Sequence, residues 1–188
     1  MSDADQPAPR VKPRPPSDWD DETREVMAGL VTGPDGETLN IFATLAHHPK
    51  LLKRWLVFGT HVLGKSTLPE RDRELLILRT AWNCGSDYEW GQHVPIATGA
   101  GLTEPEIDRL ARAGTAGWNQ PDAALVQAAD DLHSDARIGD TTWAALAQRH
   151  DTTQLLDLVF TVGQYHLVAF ALNSLDVQRE PGVDGFPA

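Results

Sequence analysis

From Asp18 onward the apolar residues recur three and four apart, and no stretch shows the period-two alternation of a half-buried strand. That regularity confines the chain to packed helices and predicts an all-α bundle. Residues 20–30 read as a first helix closed by the TGPDG turn, since Gly33, Pro34 and Gly36 cannot continue it. Asn40 reads as the cap of a short helix, with His47 and His48 at its C-terminal dipole. Pro49 then starts a helix to Leu63 with Leu51, Leu52, Trp55, Leu56, Phe58, Val62 and Leu63 on its apolar face. The T-L-P-E run at 67–70 reads as a capping box for a helix that stops near Gly85, and Ser86 as the cap of the next, in which Pro95 forfeits one backbone bond. Thr103 with Glu106 is a second capping box, Pro121 sits where a first-turn proline belongs, residues 141–149 form a short helix, and Thr152 opens the last.

That last helix, to about Leu175, is apolar around nearly its whole circumference. Such a helix lies in the middle of a bundle or under a subunit interface, and Gly163 permits a close contact. Asp157, Gln164, His166 and Asn173 interrupt it, whereas a bilayer span needs about 20 predominantly apolar residues, so no membrane partner is expected. His166 reads either as half of a buried His–Asn pair or as a pocket wall.

A chain of 188 residues suits one domain, read here as 18–180 with an arm at 1–17 and a tail at 181–188. Five of the thirteen prolines fall in the first 16 residues, where Val11 is the lone large aliphatic. The segment reads as a flexible arm or as an extended strap across a neighbouring subunit. It has no apolar run of the signal-peptide kind, so a cytoplasmic location is expected. The net charge of −11, without a basic cluster, argues against nucleic acid. Cys84 is the single cysteine, which excludes an internal disulfide and a two-cysteine metal site. Paired Glu-x-x-His motifs of the di-iron kind are missing, so no metal is expected.

Chemistry-bearing residues concentrate between Arg73 and His93. At about 100° per residue, Ser86, Glu89 and His93 share one stripe of a helix, with Trp90 beside it. A carboxylate one turn before an imidazole can orient the ring for proton transfer; the same spacing also describes an exposed ion pair. Glu74 interrupts the apolar run LLIL and must point into the bundle or its edge, where a carboxylate needs a partner: a salt bridge to Arg79 or Arg73, or a role in the site.

The run R-E-L-L-I-L-R-x-A-W-x-C-G-S-D-Y-E-W-G-Q-H-V, with L-N-I-F-A-T-L-A-H-H-P before it and G-Q-Y-H-L-V-A-F-A-L-N after it, resembles the carboxymuconolactone decarboxylase family, which includes the AhpD alkylhydroperoxidases. The resemblance spans roughly residues 38–176 and implies an AhpD-like helical bundle. In the AhpD branch the motif is E-x11-C-x2-C-x3-H; here its Glu and His fall on Glu74 and His93, and its cysteine positions on Ser86 and Glu89. The dithiol cycle therefore cannot run, and a peroxidase would need an external thiol for Cys84. The Y-E-W-x-Q-H form resembles the decarboxylase-type branch. That implies a cofactor-free lyase or isomerase acting on a small oxygenated acid or lactone, with self-association as dimer, trimer or hexamer; a non-catalytic small-molecule binder is the other class. On this reading His93 is the acid, Glu89 orients it or moves the proton, and Glu74 holds the second ring nitrogen or a water. Ser86, Tyr88 and Trp90 contact the substrate, with Arg79 and His61 among the cations that would offset its charge. Without a cation in the pocket, a neutral substrate is expected instead.

Overall fold

The computed structural model describes residues 8–30, 32 and 36–187. Most of the TGPDG turn and the first seven residues of the arm lie outside them. Among the described residues there are nine α-helices: α1 Asp21–Met27, α2 Asn40–Leu45, α3 Pro49–Gly64, α4 Glu70–Asn83, α5 Asp87–Gly99, α6 Glu104–Leu110, α7 Gln120–Asp135, α8 Asp140–Leu146 and α9 Thr152–Leu175. No strand occurs among those residues, only an isolated bridge between Thr32 and Thr38. The all-α expectation holds.

Helix α4 is the spine. Every residue from Asp72 to Ala81 is buried, so its apolar side chains reach α5, α7 and α9 at once and Leu75, Leu76, Ile77 and Leu78 are fully enclosed. Enclosing a side chain of that size contributes about 1.5–3 kcal/mol. Charged residues in such a helix need fixed partners, and Arg79 finds them: its guanidinium grips Asp130 of α7 through Nε at 2.6 Å and Nη2 at 2.8 Å, and donates to the carbonyls of Leu110 and Arg112. Arg71 similarly binds Asp122 and Glu106.

Helix α9 has the length and apolar composition of a bilayer span, yet half of it is packed inside the fold. Leu155, Leu158, Val162, Val168, Ala169 and Leu172 face the core, while Leu156, Phe160, Leu167 and Phe170 face outward at 54–59% exposure.

Several helix ends differ from expectation. Thr103 and Glu106 do form a capping box, and so do Asp151 and Gln154 at the start of α9. The 67–70 run does not: α4 starts after Pro69, and Thr67 donates through its amide and hydroxyl to Asp157 of α9 at 2.6 and 2.7 Å. An α9 carboxylate outcompetes the local cap because it gathers both groups and Ser66 together. Asn40 is inside α2, its side chain donating to the Gln178 carbonyl, and His48 caps the start of α3 instead of the end of α2.

The described parts of both terminal segments are laid down on the bundle. In 8–17, where a free arm is one expectation, Arg10 and Val11 donate to the Leu175 carbonyl and Arg14 reaches the Ala43 and Ala46 carbonyls and Thr23. Beyond residue 180, Phe186 packs on Trp82 and Trp90, and the chain passes so close over α5 that a Cβ on Gly91 would collide with the Asp184 carbonyl oxygen. Gly91 thus seats the tail.

Candidate active site

The kink of chain between α4 and α5, Cys84 to Ser86, turns the chain so that α5 folds back against α4; Gly85 takes φ of 60°, the left-handed region open to glycine at little cost. This brings Glu74 and His93, nineteen residues apart, to 2.7 Å between Oε2 and Nδ1. Glu74 is fully buried, and its Oε1 accepts from Arg73 Nε at 3.0 Å. Of the two partners open to Glu74 in the sequence, Arg73 is the one used; Arg79 is committed to Asp130. The ion pair with Arg73 makes Glu74 an acceptor, so His93 donates through Nδ1–H and its Nε2 carries the lone pair. The imidazole edge also stands against the Tyr165 ring, 4.9 Å between centroids at 89°.

Nε2 makes no hydrogen bond among the described residues, and His93 lines a cavity of about 310 Å³ between α2, α3, α5 and α9. Ligand cavities start near about 300 Å³, so this one admits a small molecule. Its walls are mostly apolar, from Ile41, Phe42, Trp55, Leu56, Val168 and Leu172 among others; the polar residues that line it are Thr60, Tyr88, Glu89, Gln92, His93, Gln164 and Tyr165.

Glu89 is the unusual member. It is 2% exposed, and neither carboxyl oxygen has a hydrogen-bond partner. Burial without compensation pushes its pKa well above the ordinary carboxylate range, so the proton is retained. Burial, reinforced by the charge of Glu74, likewise holds Tyr165 in its phenol form. Gln164 Oε1 is also buried and unpaired. Tyr88 donates to Glu180 at 2.7 Å and receives the Ile41 amide, and burial beside Glu180 keeps its hydroxyl protonated.

Glu74, Glu89, His93 and Tyr88 therefore converge. The remaining sequence candidates do not. Ser86 is buried with an unpaired hydroxyl but lies outside the cavity wall. Trp90 points the other way, into the core against Trp82 and Phe186, because one further residue turns the helix by about 100°. Arg79 is locked to α7, and His61 is exposed on the outer side of α3. Among the described residues, no Lys or Arg lines the cavity. Tyr165 and Gln164 stand in the G-Q-Y-H run that carries part of the family resemblance, and Gln164 also interrupts the apolar α9, but neither is read there as a site residue. A larger, open depression of about 410 Å³ around Trp143 and Val159 holds Arg137 and Asp140, which pair with each other.

Cys84 stands apart from this cavity, half-buried at the end of α4, its thiol pushed up to about 11, chiefly by burial.

Residues 49–131, which hold α3 to α6, the whole Glu74–His93 pair and most of α7, match the carboxymuconolactone decarboxylase family. The likeness to that family lies in this segment, which is under half of the chain. No curated protein sequence matches the chain. Among solved structures it resembles the alkylhydroperoxidase AhpD core of an uncharacterized peroxidase-related protein from Ralstonia eutropha JMP134, at 16% identity and TM-score 0.78, covering 93% of this chain and 94% of that one. A peroxidase-related protein from Silicibacter sp. TM1040 matches at 13% identity and TM-score 0.74, over 88% of each chain. The debrominase Bmp8, in a variant form in complex with 2,3,4-tribromopyrrole, matches at 14% identity and TM-score 0.71, over 94% of this chain and 95% of that one. At these identities the likeness is one of fold, an AhpD-like helical bundle.

Proposed function

We propose that this protein is a cofactor-independent isomerase, or a lyase of the same chemistry, acting on a small neutral carbonyl compound such as an unsaturated lactone. The observation that carries the reading is the pairing, on one apolar cavity, of an imidazole oriented by a buried carboxylate with a buried carboxyl that keeps its proton. Environments that split two neighbouring groups in this way define an acid and a base. The roles that the sequence suggests for the α5 pair are thereby exchanged: His93 is the base and Glu89 the acid.

His93 Nε2 takes a proton from the carbon next to the carbonyl. The C–H electron pair becomes a carbon–carbon double bond while the carbonyl oxygen takes the Glu89 proton, giving an enol. The imidazolium is stabilised by Glu74. It then returns its proton to a different carbon and the enol hydroxyl proton goes back to Glu89, so the double bond has moved and both residues are restored. A substrate carboxylate has no Lys or Arg among the described residues of the cavity wall to receive it, which favours the neutral substrate over an acid.

The test is a neutral five-membered unsaturated lactone in D2O, with double-bond migration and deuterium uptake followed by NMR. His93→Gln and Glu89→Gln should each lose about 10²–10⁴ in rate. Migration unchanged in His93→Gln defeats the proposal, and so does migration no faster than in buffer. The peroxidase-related neighbours supply the competing reading; reduction of an organic hydroperoxide by an added thiol, abolished by Cys84→Ser, would establish that one instead.

We further propose that the chain self-associates through α9. Leu156, Phe160, Gly163, Leu167 and Phe170 alternate at spacings of four and three, the seam along which two helices pack, and Phe160 is joined edge-on by Phe58 of α3. The occupant is a second copy presenting the same seam. Phe160→Glu should lower the mass measured by light scattering, and an unchanged mass counts against it.

A further inference from the structure

On the side of α4 away from the cavity, three helices bring Cys84, His133 and His166 together. Cys84 closes α4, His133 lies in the last turn of α7, and His166 is in mid-α9. One ligand atom from each lies within 4.8 Å of the others. Cys84 Sγ is 3.8 Å from His133 Nδ1, which is 3.1 Å from His166 Nε2. We propose that these three side chains form a binding site for a borderline divalent transition-metal ion of the zinc class.

Bonds of about 2.3 Å to sulfur and 2.0–2.1 Å to nitrogen at tetrahedral angles put S–N edges near 3.5 Å and N–N edges near 3.4 Å. The two separations fall either side of these values, so small rotations of the side chains bring all three onto one ion. The ring of His166 is already turned to ligate: its Nδ1 donates to the Val162 carbonyl at 2.9 Å, which leaves the Nε2 lone pair directed at His133. Two imidazole nitrogens facing each other at 3.1 Å share one proton, here on His133 Nδ1. When the metal enters, that proton moves to His133 Nε2 and the Cys84 thiol proton leaves to solvent, so one proton is released per ion bound. No redox change is involved.

The frame holding the ligands is rigid. Asn173 of α9 donates to the Cys84 carbonyl at 2.8 Å, and Asp130, one turn before His133, is fixed by Arg79 and Asn83 of α4. Two carboxylates are close: Asp130 is taken by those partners, and Glu89 faces the other cavity. With three protein ligands and His133 exposed, the fourth position is open to water, the arrangement of a reactive rather than a closed structural site. The Glu-x-x-His pattern sought in the sequence could not reveal it, because the ligands come from three separate helices. The site stands or falls independently of the proton-shift reading.

Co²⁺ serves as the spectroscopic probe and Zn²⁺ as competitor. Titrating the full chain should give one Co²⁺ per chain with a thiolate-to-cobalt charge-transfer band and intense tetrahedral visible bands, both removed by Zn²⁺. Cys84→Ser should abolish the charge-transfer band while leaving the helical circular dichroism intact. His133→Gln and His166→Gln should each weaken binding at least tenfold, and a His47→Ala/His48→Ala variant should bind like the wild type. Absence of the charge-transfer band in the wild type overturns the proposal. Its persistence in Cys84→Ser, or undiminished affinity in both single histidine variants, does the same.

Discussion

Replacing Glu89 by Gln should raise the relative stability of this protein as the pH rises. The carboxyl is enclosed, has no partner for either oxygen, and its folded pKa lies well above the 4.5 of a free Glu. Between those two values the unfolded chain has lost the Glu89 proton and the folded chain has kept it. The folded state therefore binds more protons, and stability falls with rising pH by about 1.4 kcal/mol per unit from this one residue. The stabilising side of the linkage lies below the ordinary carboxylate pKa and is spent as pH climbs towards the folded one. Gln has nearly the same shape and no titration, so any constant offset from its amide drops out of the comparison. Urea unfolding of both proteins at half-unit steps from pH 5 upward gives two stability curves. Their difference should grow in favour of Glu89→Gln with a slope of about 1.4 kcal/mol per unit. A flat difference would refute the reasoning: it would mean that a water or a cation in the cavity solvates the carboxylate, and that Glu89 is no acid.

Glu74→Gln leaves Arg73 and His93 buried without their anion, at a cost of about 3–5 kcal/mol. With an unfolding entropy of about 2.1 cal/mol/K per residue over 188 residues, the melting temperature should drop by about 8–13 °C, and a drop of under 3 °C contradicts the buried triad. The loss should be non-additive with His93→Gln in a double-mutant cycle. Gly91→Ala forces a methyl group against Asp184 and Val183, so it should cost about 1–3 kcal/mol and expose the 181–188 tail to carboxypeptidase; unchanged protection speaks against the tail contact. Asp157→Asn weakens the tie from α9 to Thr67 and Ser66. Because these donors and His61 hold the Asp157 carboxyl below its usual range, the stability it supplies is present above the ordinary carboxylate pKa and lost as pH falls through the lowered one. The wild-type advantage over Asp157→Asn should therefore shrink in acid melts and vanish at the lowest pH.

The helices are legible in the sequence because their caps are local. Thr103 and Glu106, three residues apart, satisfy each other whatever surrounds them. Thr67 shows the limit: its pattern is the same, but a carboxylate ninety residues away offers a better acceptor, and no window of sequence contains both. The Glu74–His93 contact is legible from spacing and family likeness, while the choice of Arg73 over Arg79 is not, since Arg79 depends on where α7 puts Asp130. Tyr165 and Gln164 stay hidden because an all-round apolar helix does not disclose which side meets the core and which meets a partner. The outward seam of Leu156, Phe160, Leu167 and Phe170 is the other half of the same ambiguity.

On the proposed reading, the cavity accounts for a change of chemistry at one position of the motif. In the dithiol pattern the residue four before the histidine is a cysteine; here it is Glu89, in a place with no hydrogen-bond donor within reach. A carboxyl with a donor beside it would ionise, and beside Glu74 would set two anions around one imidazole. Without such a donor it keeps its proton, and only Glu74 acts as the anion of the site. The missing hydrogen bond at Glu89 is thus what separates the two acids into different roles, and a variant that supplies one tests the point. Ile96→Lys, on the cavity wall, would bring an ammonium towards that carboxyl. Ionising Glu89 should then remove the acid from the proton shift while leaving the Glu74–His93 bond in place. Turnover of the lactone should fall with the helical fold retained, and the pH dependence that separates wild type from Glu89→Gln should flatten; undiminished turnover together with a flattened slope would show that the proton on Glu89 is not used.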